Sequence, residues 1–546
     1  MMPPLSESTY LFLVILVFSL ICLVLALGVY FLLDARVFDD LGHRLPGPSN
    51  HLWGSRLMSL VTILRGVHPY ACMLCDQLMR KLGDNNIIAF NTILGQQYVI
   101  VSHPEMVKNI LTGHYLKYKK NKTWDRLAFL LGDGLLTCDD REYTRFKSIL
   151  TPLCRSQALK CMVTVFNIHT RRLLRHWSFR WKKAQLEAKS NEGIRVLMDD
   201  DIRNLITGIM CEAGFGYDFF TKGKNDTVAE DFETIVSEIV ISMQDPFSWS
   251  VYLSPQRNKQ VRKAIKRLQD TIDKCIEDRI AKNEGQYEKA SMPDSQLLEG
   301  EESDAAPESN DFVHLMIQLN DSANDYHRLS KKQMRDHILT FMVSGYENIV
   351  YTLLWMLFEL ALHPAIQKKC QDEIDAIMLL NNVPLSAVVY EDIPKFNMLI
   401  QVVKETMRLH PVQPMLSRTL AVKCDVGGYQ INPNTHLLVS LMKLHRHPEF
   451  WYLPDDFLPD RFSEDNITET IKHPFQYLPF GAGSRSCIGQ RFGQMALTVV
   501  AALLLSKFSF SMTSTDKKDM AVDDDYMHVP VNMRLVVRPR ENLETY

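Results

Sequence analysis

The sequence predicts a mainly α-helical fold with small β-sheets, preceded by one N-terminal transmembrane helix. Three observations support this. Apolar residues recur at helical spacing through most of the chain between His103 and Leu409. Short strand-like stretches bounded by Gly, Pro and Asn gather around Ile87–Ser102 and again beyond Pro414. Tyr10–Leu33 is an apolar run of 24 residues with no charge and no Pro.

As a helix that run spans about 36 Å, enough for a hydrocarbon core of roughly 30 Å. The preceding MMPPLSES has no basic residue, unlike the start of a cleaved signal peptide. Arg36, Arg44 and Arg56 follow the run, so the positive-inside rule places the rest of the chain in the cytosol. Residues 1–33 are expected to be the anchor. Residues 34–50, with Leu45-Pro46-Gly47-Pro48-Ser49, are expected to be a stiff linker. Residues 51–546 have no internal repeat and read as one large unit. The glycosylation patterns at Asn121, Asn225, Asn320 and Asn466 would go unused in the cytosol.

Within the body, Ile87–Asn91 and Tyr98–Ser102 flank Gly95 as a hairpin. Helical pattern follows to about Ile280. Residues 284–311 are rich in acids, Ser, Gly and Pro, and read as a flexible loop. Ser330-Lys-Lys-Gln333 fits a capping box for a helix that His363-Pro364 stops. At about 45 Å it is long enough to cross the domain. Helices follow near Ile366–Leu380 and Lys395–Leu409, then short strands near Ser417–Val422, Gly427–Ile431 and His436–Leu441. A last helix begins just after Cys487 and reaches about Lys507. Strand-like segments follow at Phe508–Met512 and Val529–Val537.

Composition narrows function. With 46% apolar and 23% charged residues, disordered, collagenous and disulfide-scaffold classes are excluded. Lys+Arg 61 against Asp+Glu 64 gives a net charge of −3, so no nucleic-acid partner is expected. Eleven scattered cysteines suit a reducing compartment.

One cysteine carries a chemical context. Phe480-Gly-Ala-Gly483-Ser-Arg485-Ser-Cys487-Ile-Gly489 is a glycine-rich turn feeding a helix. Unpaired N–H groups at the helix start favour a thiolate. Gly483 and Gly489 remove side chains where a flat ligand approaches. Arg485 can pair with a carboxylate, and Phe480 can cover the sulfur.

This stretch resembles the haem-binding loop of the cytochrome P450 family, F-x-x-G-x-R-x-C-x-G, with every fixed position matched. Glu405-Thr-Met-Arg408 and Pro459-Asp-Arg461-Phe462 are similar to the family's E-x-x-R and P-x-R-F. The resemblance implies a cytochrome P450 fold for residues 51–546, with haem b held by Cys487 as axial ligand. It implies a Glu405–Arg408–Arg461 network on the proximal side, and Arg418 as a second propionate partner. It also implies monooxygenation of a lipophilic small molecule (sterol, fatty acid or xenobiotic). The electrons would come from NADPH through NADPH-cytochrome P450 reductase, with cytochrome b5 a further partner. The location implied is the endoplasmic reticulum membrane, with the catalytic domain facing the cytosol.

Two places depart from the family pattern. The central helix reads Ser344-Gly345-Tyr346-Glu347-Asn348-Ile349, where the family has a small residue, Gly, an acid and then Thr. Gly345 is expected to open the helix over the haem, and Glu347 to be the proton-handling acid. Asn348 replaces the hydroxyl with an amide, which can hold a water but does not relay protons in the same way. That substitution keeps a haem-thiolate isomerase or dehydratase of lipid peroxides open. A non-catalytic haem or sterol-binding protein is the other alternative. The family's W-x-x-x-R appears here as Tyr143-Thr-Arg-Phe-Lys147, so Tyr143 and Lys147 become propionate candidates, with Arg145 as a substitute cation.

Other features read as ordinary. Cys72-Met-Leu-Cys75 lacks a second ligand pair. Lys117–Lys122 is a solvated basic face, with an acidic redox partner as its alternative use. His410 ends a helix. Leu127–Leu135 and Phe215–Pro255 are expected to shape the pocket.

Overall fold

Ser330 and Gln333 exchange the two bonds of the expected capping box. The Gln333 N–H donates to Ser330 Oγ at 3.2 Å, and the Ser330 N–H donates to Gln333 Oε1 at 2.9 Å. They start the longest buried helix, Lys331–Leu362, which His363 and Pro364 end. Around it the rest of the domain is arranged.

The structure is a computed structural model. It describes residues 86–91, 96–114, 116–120, 127–155, 159–188, 193–218, 227–244, 255–290, 311–321, 327–380, 387–524 and 527–540. The expected anchor, the proline linker and the Cys72–Cys75 pair lie outside these. Among the described residues no single helix is long and apolar enough to cross a membrane.

The main helices are α1 (Pro104–Thr112), α2 (Asp140–Leu150), α3 (Met162–Ala188), α4 (Met198–Phe215), α5 (Val228–Gln244) and α6 (Pro255–Ala290). The central helix is α8, preceded by α7 (Phe312–Asp321) and followed by α9 (Pro364–Leu380), α10 (Asn397–Leu409) and α11 (Gln490–Lys507). Local chemistry sets several ends. Asp139 caps α2 by accepting from the N–H groups of Arg141 and Glu142. Asp199, Asp200 and Asp201 face the positive end of α4, and Gly216 closes it in the left-handed conformation.

The largest sheet has the order β1 (Ile87–Asn91), β2 (Gln97–Val101), β8 (His436–Ser440), β5 (Met415–Leu420), β3 (Tyr118–Lys119). β1 and β2 form the expected hairpin, with Ile88 opposite Ile100. β8 runs parallel to β2 and antiparallel to β5, which sets Arg418 opposite Leu437. β6 (Cys424–Val426) and β7 (Tyr429–Ile431) pair with each other, as do β10 (Ala521–Asp523) and β11 (Val529–Val531). A three-stranded sheet joins β4 (Ile194–Leu197), β12 (Arg534–Pro539) and β9 (Phe508–Ser511). One apolar core surrounds α8 and α11, and a smaller one lies under the five-stranded sheet.

Two expectations change here. α6 continues through Ala290, so the first part of the 284–311 loop is helix. Extending an existing helix fixes few dihedrals per bond gained, so polar residues can be carried along. The Lys117–Lys122 stretch is also more than a solvated face. Tyr118 and Lys119 form β3, and Lys120 turns inward to donate to the carbonyl of Thr137 at 2.9 Å.

Candidate functional site

A cavity of about 460 Å³ opens between α8, α2, β5 and the loop that precedes α11. The loop is shaped by its own backbone. The Cys487 N–H donates to the Phe480 carbonyl at 3.0 Å, and the Ser486 N–H donates to the Gly483 carbonyl at 3.1 Å. Gly483 has φ +75°, and a Cβ there would lie 1.9 Å from the Leu111 carbonyl oxygen. Gly483 is therefore needed for the turn and for contact with α1. Gly489 is the N-cap of α11, and a Cβ there would stand 3.9 Å from Cys487 Sγ. Phe480 contributes its carbonyl to the loop and its ring to the cavity wall.

Cys487 lies deep in the protein with its surface open to the cavity. Burial raises its pKa, while the Gly489 N–H and the Lys147 ammonium act to lower it. The net direction is upward, so the helix start alone does not give the thiolate that the sequence suggested. Cys154 also lines the cavity, but burial pushes its thiol up to about 12.

The same wall gathers positive charge. Arg418, on β5, donates to the carbonyl of Ser417 at 2.8 Å and makes no ion pair among the described residues. Burial first, and then the neighbouring Arg485, press its pKa down to about 10. Arg485 is ion-paired with Asp140 and sits 3.8 Å over the Tyr143 ring. Tyr143 is buried on the cavity wall. Lys147 behaves differently from the expectation. Its Nζ donates to the carbonyl of Ser484 at 2.5 Å and to Ser486 Oγ at 3.2 Å, so it ties α2 to the loop. Arg145 turns away, donating to Glu142 at 2.9 Å and to the Arg328 carbonyl at 2.8 Å, and does not stand in for it.

Across the cavity, α8 presents Thr340, Ser344, Gly345, Asn348 and Thr352. The helix is unbroken through Gly345, so no opening forms there. A Cβ at Gly345 would lie 2.8 Å from the Met210 methyl, so the glycine lets α4 pack closely. Asn348 Nδ2 donates to the Ser344 carbonyl at 2.8 Å, and Ser344 Oγ to the Thr340 carbonyl at 2.6 Å. Glu347 is buried but is not part of the cavity wall, being turned toward Arg203 of α4. Burial raises its carboxyl to about 7, and Arg203 opposes this.

Behind the loop, Glu405, Arg408 and Arg461 meet as the motif pair suggested. Arg408 is fully buried and grips Glu405 through two bonds, of 2.7 Å and 2.8 Å. Its remaining donors reach the carbonyls of His445, Pro454 and Asp456 at 2.9, 2.7 and 3.0 Å. Arg461 Nε lies 3.3 Å from Glu405 Oε1, and Arg461 also donates to the carbonyls of Tyr452 and Leu453. His410 is more than a helix end. It is buried, 2.7 Å from Glu359 and 3.0 Å from His528.

The expected pocket segments fare poorly. Of Leu127–Leu135 only Leu135 reaches the cavity, and no described residue of Phe215–Pro255 does. His337 and Thr340 line it without having been singled out, and Lys120 and Ser344 line it although no pocket role was expected of them. The spacing of Thr340, Ser344, Asn348 and Thr352, four residues apart on one helix face, was the available signal.

Comparison with known proteins agrees with this geometry. A family model described as Cytochrome P450 matches residues 72–535. The chain is 28% identical to Cytochrome P450 3A9 of Rattus norvegicus, over 76% of this chain and 77% of the relative. It is 26% identical to Cytochrome P450 4V2 of Mus musculus, over 78% and 75%. Its fold is similar to the crystal structure of the cytochrome P450DA heme domain, with TM-score 0.72 and 22% identity. That likeness covers 91% of this chain and 98% of that one. Since the matched model spans most of the chain, the protein belongs to the cytochrome P450 family of haem-thiolate monooxygenases.

Proposed function

We propose that the protein inserts one oxygen atom from dioxygen into a lipophilic substrate at the cavity between α8 and the Cys487 loop. NADPH supplies the electrons through NADPH-cytochrome P450 reductase, with cytochrome b5 as a further donor. The anchor at residues 1–33 holds it in the endoplasmic reticulum membrane with the catalytic domain facing the cytosol. The observation that carries this reading is one sulfur, Cys487 Sγ, open to a mostly apolar cavity whose rim holds Arg418 and Arg485.

Haem b fits these residues. Arg418 and Arg485 influence each other electrostatically, and the one carboxylate near them, Asp140, is ion-paired to Arg485, so the rim carries excess positive charge. An anionic group would relieve the pressure on Arg418, and propionates supply such groups. Cys487 would be the axial ligand, and ligation would remove the thiol proton that burial retains. When bound, haem supplies an iron that activates dioxygen, and a thiolate ligand favours O–O cleavage.

The remaining roles belong to the chain. Lys147 and Tyr143 brace the loop and Arg485, so the sulfur is held in place. Leucine and phenylalanine walls exclude water and bury an apolar substrate. Asn348 donates its amide to the helix backbone, and its oxygen can hold a water at the cavity face. Glu347, behind that face, stores a proton near neutral pH and can pass it on through water. Asn348 also favours a second reading, rearrangement of a lipid peroxide without reductase. NADPH-dependent oxygen uptake with product formation, in an untargeted lipid screen with reductase, supports monooxygenation. Turnover of a lipid hydroperoxide with neither reductase nor NADPH supports rearrangement instead.

Glu347 gives a pH test. Its folded pKa, raised to about 7, lies above the unfolded value, so the stability it contributes is present below 4.5 and lost as pH rises through 7. Glu347→Gln should therefore be more stable than wild type at pH 8, by on the order of 1–3 kcal/mol in unfolding free energy, and equal to it at low pH. Product formed per NADPH should also lose its inflection near neutrality. An unchanged profile would remove Glu347 from proton handling.

A further inference from the structure

A second group of titratable side chains lies outside the cavity, joined end to end. Asp524 Oδ1 is 2.5 Å from His528 Nδ1. His528 Nε2 is 3.0 Å from His410 Nδ1, and His410 Nε2 is 2.7 Å from Glu359 Oε1. Trp355 covers both rings, stacked at 4.0 Å on His410 and 4.7 Å on His528. Its indole N–H donates to the His528 carbonyl at 2.9 Å. Asp524 and His528 stand at the inner ends of β10 and β11, so these contacts fasten that hairpin to α8 and to the end of α10. The hairpin in turn bears on the cavity. The His528 N–H donates to the Val412 carbonyl at 3.1 Å, and Pro411 and Val412 line the cavity.

Each ring spends both nitrogens, so the contacts form one chain, Asp524–His528–His410–Glu359. Each contact needs one proton between its two heteroatoms. The chain is therefore complete with three protons, of which two neutral imidazoles bring two. The third sits on a carboxyl group or makes one ring an imidazolium. Glu359 feels His363, whose Nδ1 is 3.4 Å from its Oε2, and then Arg446, Lys517 and Arg408. His410 feels His528, Arg446, Arg408 and Asp524. Burial still raises the Glu359 carboxyl to about 6 and presses the His410 imidazole well below 6.5. A carboxyl is thus a better seat for the third proton than His410. The folded value of Glu359 lies above the unfolded one, so what the proton contributes is full below 4.5 and lost as pH rises through 6. Two lone pairs then face each other at one contact. Asp524 is the more exposed end, 32% against 8% for Glu359, so the chain opens there at least cost.

We infer that Asp524, His528, His410 and Glu359 share one proton and form a pH-sensitive latch, closed while that proton is held, which keeps the connection between β10 and β11 seated on the cavity wall at Val412. As pH rises the proton leaves, Asp524 turns to water and the connection loosens. The latch stands apart from the oxygen chemistry and does not rest on the monooxygenase reading.

Haem-loaded full chain in one detergent is followed by hydrogen–deuterium exchange and mass spectrometry from about pH 5 to about pH 8.5, with each rate divided by the intrinsic rate at that pH. The peptide that carries the His528 amide reports the latch, and the amides of α11 report global opening. In wild type the protection of the reporter should fall about tenfold as pH rises through the range, the fold-change of one hydrogen bond, with α11 unchanged. Asp524→Asn gives the sharpest contrast. Its amide N–H can donate to His528 Nδ1 without a titrating proton, so the latch should stay closed at every pH. His528→Phe keeps a ring on Trp355 and removes both nitrogens, so its protection should be low at every pH. Wild-type protection that ignores pH, an equal change in α11, Asp524→Asn following the wild-type profile, or His528→Phe as protected as wild type at low pH would each overturn the inference.

Discussion

Cys487→Ser removes the red-shifted band of the reduced carbon-monoxide complex and abolishes turnover, while Cys154→Ser keeps both. The loss should exceed the roughly 10–100-fold typical of removing a group that merely supports a metal ligand. The two thiols share one cavity, so the comparison is sharp. Cys154 is buried with no donor or cation acting to lower its pKa, and it stays protonated with a pKa of about 12. Cys487 has the Gly489 N–H and the Lys147 ammonium directed at it, and its loop is held on both sides. A hydroxyl at position 487 keeps the loop's shape but not the soft, electron-rich ligand. If Cys487→Ser retains the band, or Cys154→Ser loses it, the axial assignment is wrong.

How much of this could be read from the residues differs between fold and site. The central helix was legible to its last turn, because Ser330, Gln333, His363 and Pro364 are local signals. β3 and β4 were not, since Tyr118–Lys119 and Ile194–Leu197 are strands only by pairing with β5 and β12, far away in sequence. The Cys487 loop and the Glu405–Arg408 pair were visible as spacings. The roles of their neighbours depended on packing. Gly483 serves Leu111 of α1, Lys147 serves two loop carbonyls, and Gly345 serves Met210. None of those partners lies within one turn in sequence, so no periodicity could assign them. His337 shows the same limit from the other side. Its two ring nitrogens have no hydrogen-bond partner among the described residues, a fact that only the packed structure can display.

Glu405→Gln should be the most destabilising single change in the described domain. Glu405 and Arg408 are fully shielded from solvent, and Arg461 is nearly so. The glutamate's two oxygens accept from Arg408, Arg461 and the Leu458 N–H, so one carboxylate balances two guanidiniums. An amide of the same shape withdraws the charge and turns two acceptors into one acceptor and one donor. The donor then faces guanidinium N–H groups. Breaking a buried pair by removing one partner costs about 3–5 kcal/mol. Whole-domain stabilities are typically about 5–15 kcal/mol, so this is a large fraction of the total. The segment at risk is Tyr452–Phe462, whose carbonyls at Tyr452, Leu453, Pro454 and Asp456 are held by these two arginines. Loss of haem on gel filtration and a lowered denaturation midpoint should therefore appear together. Arg408→Lys should be nearly as damaging, because an ammonium has three donors and no planar fork to meet five acceptors. Arg461→Lys should be milder, since its contact with Glu405 is the longest of the set at 3.3 Å. Loss confined to Glu405→Gln, with both charge-preserving lysine variants as stable as wild type, would show that net charge matters there, and not the geometry of the fork.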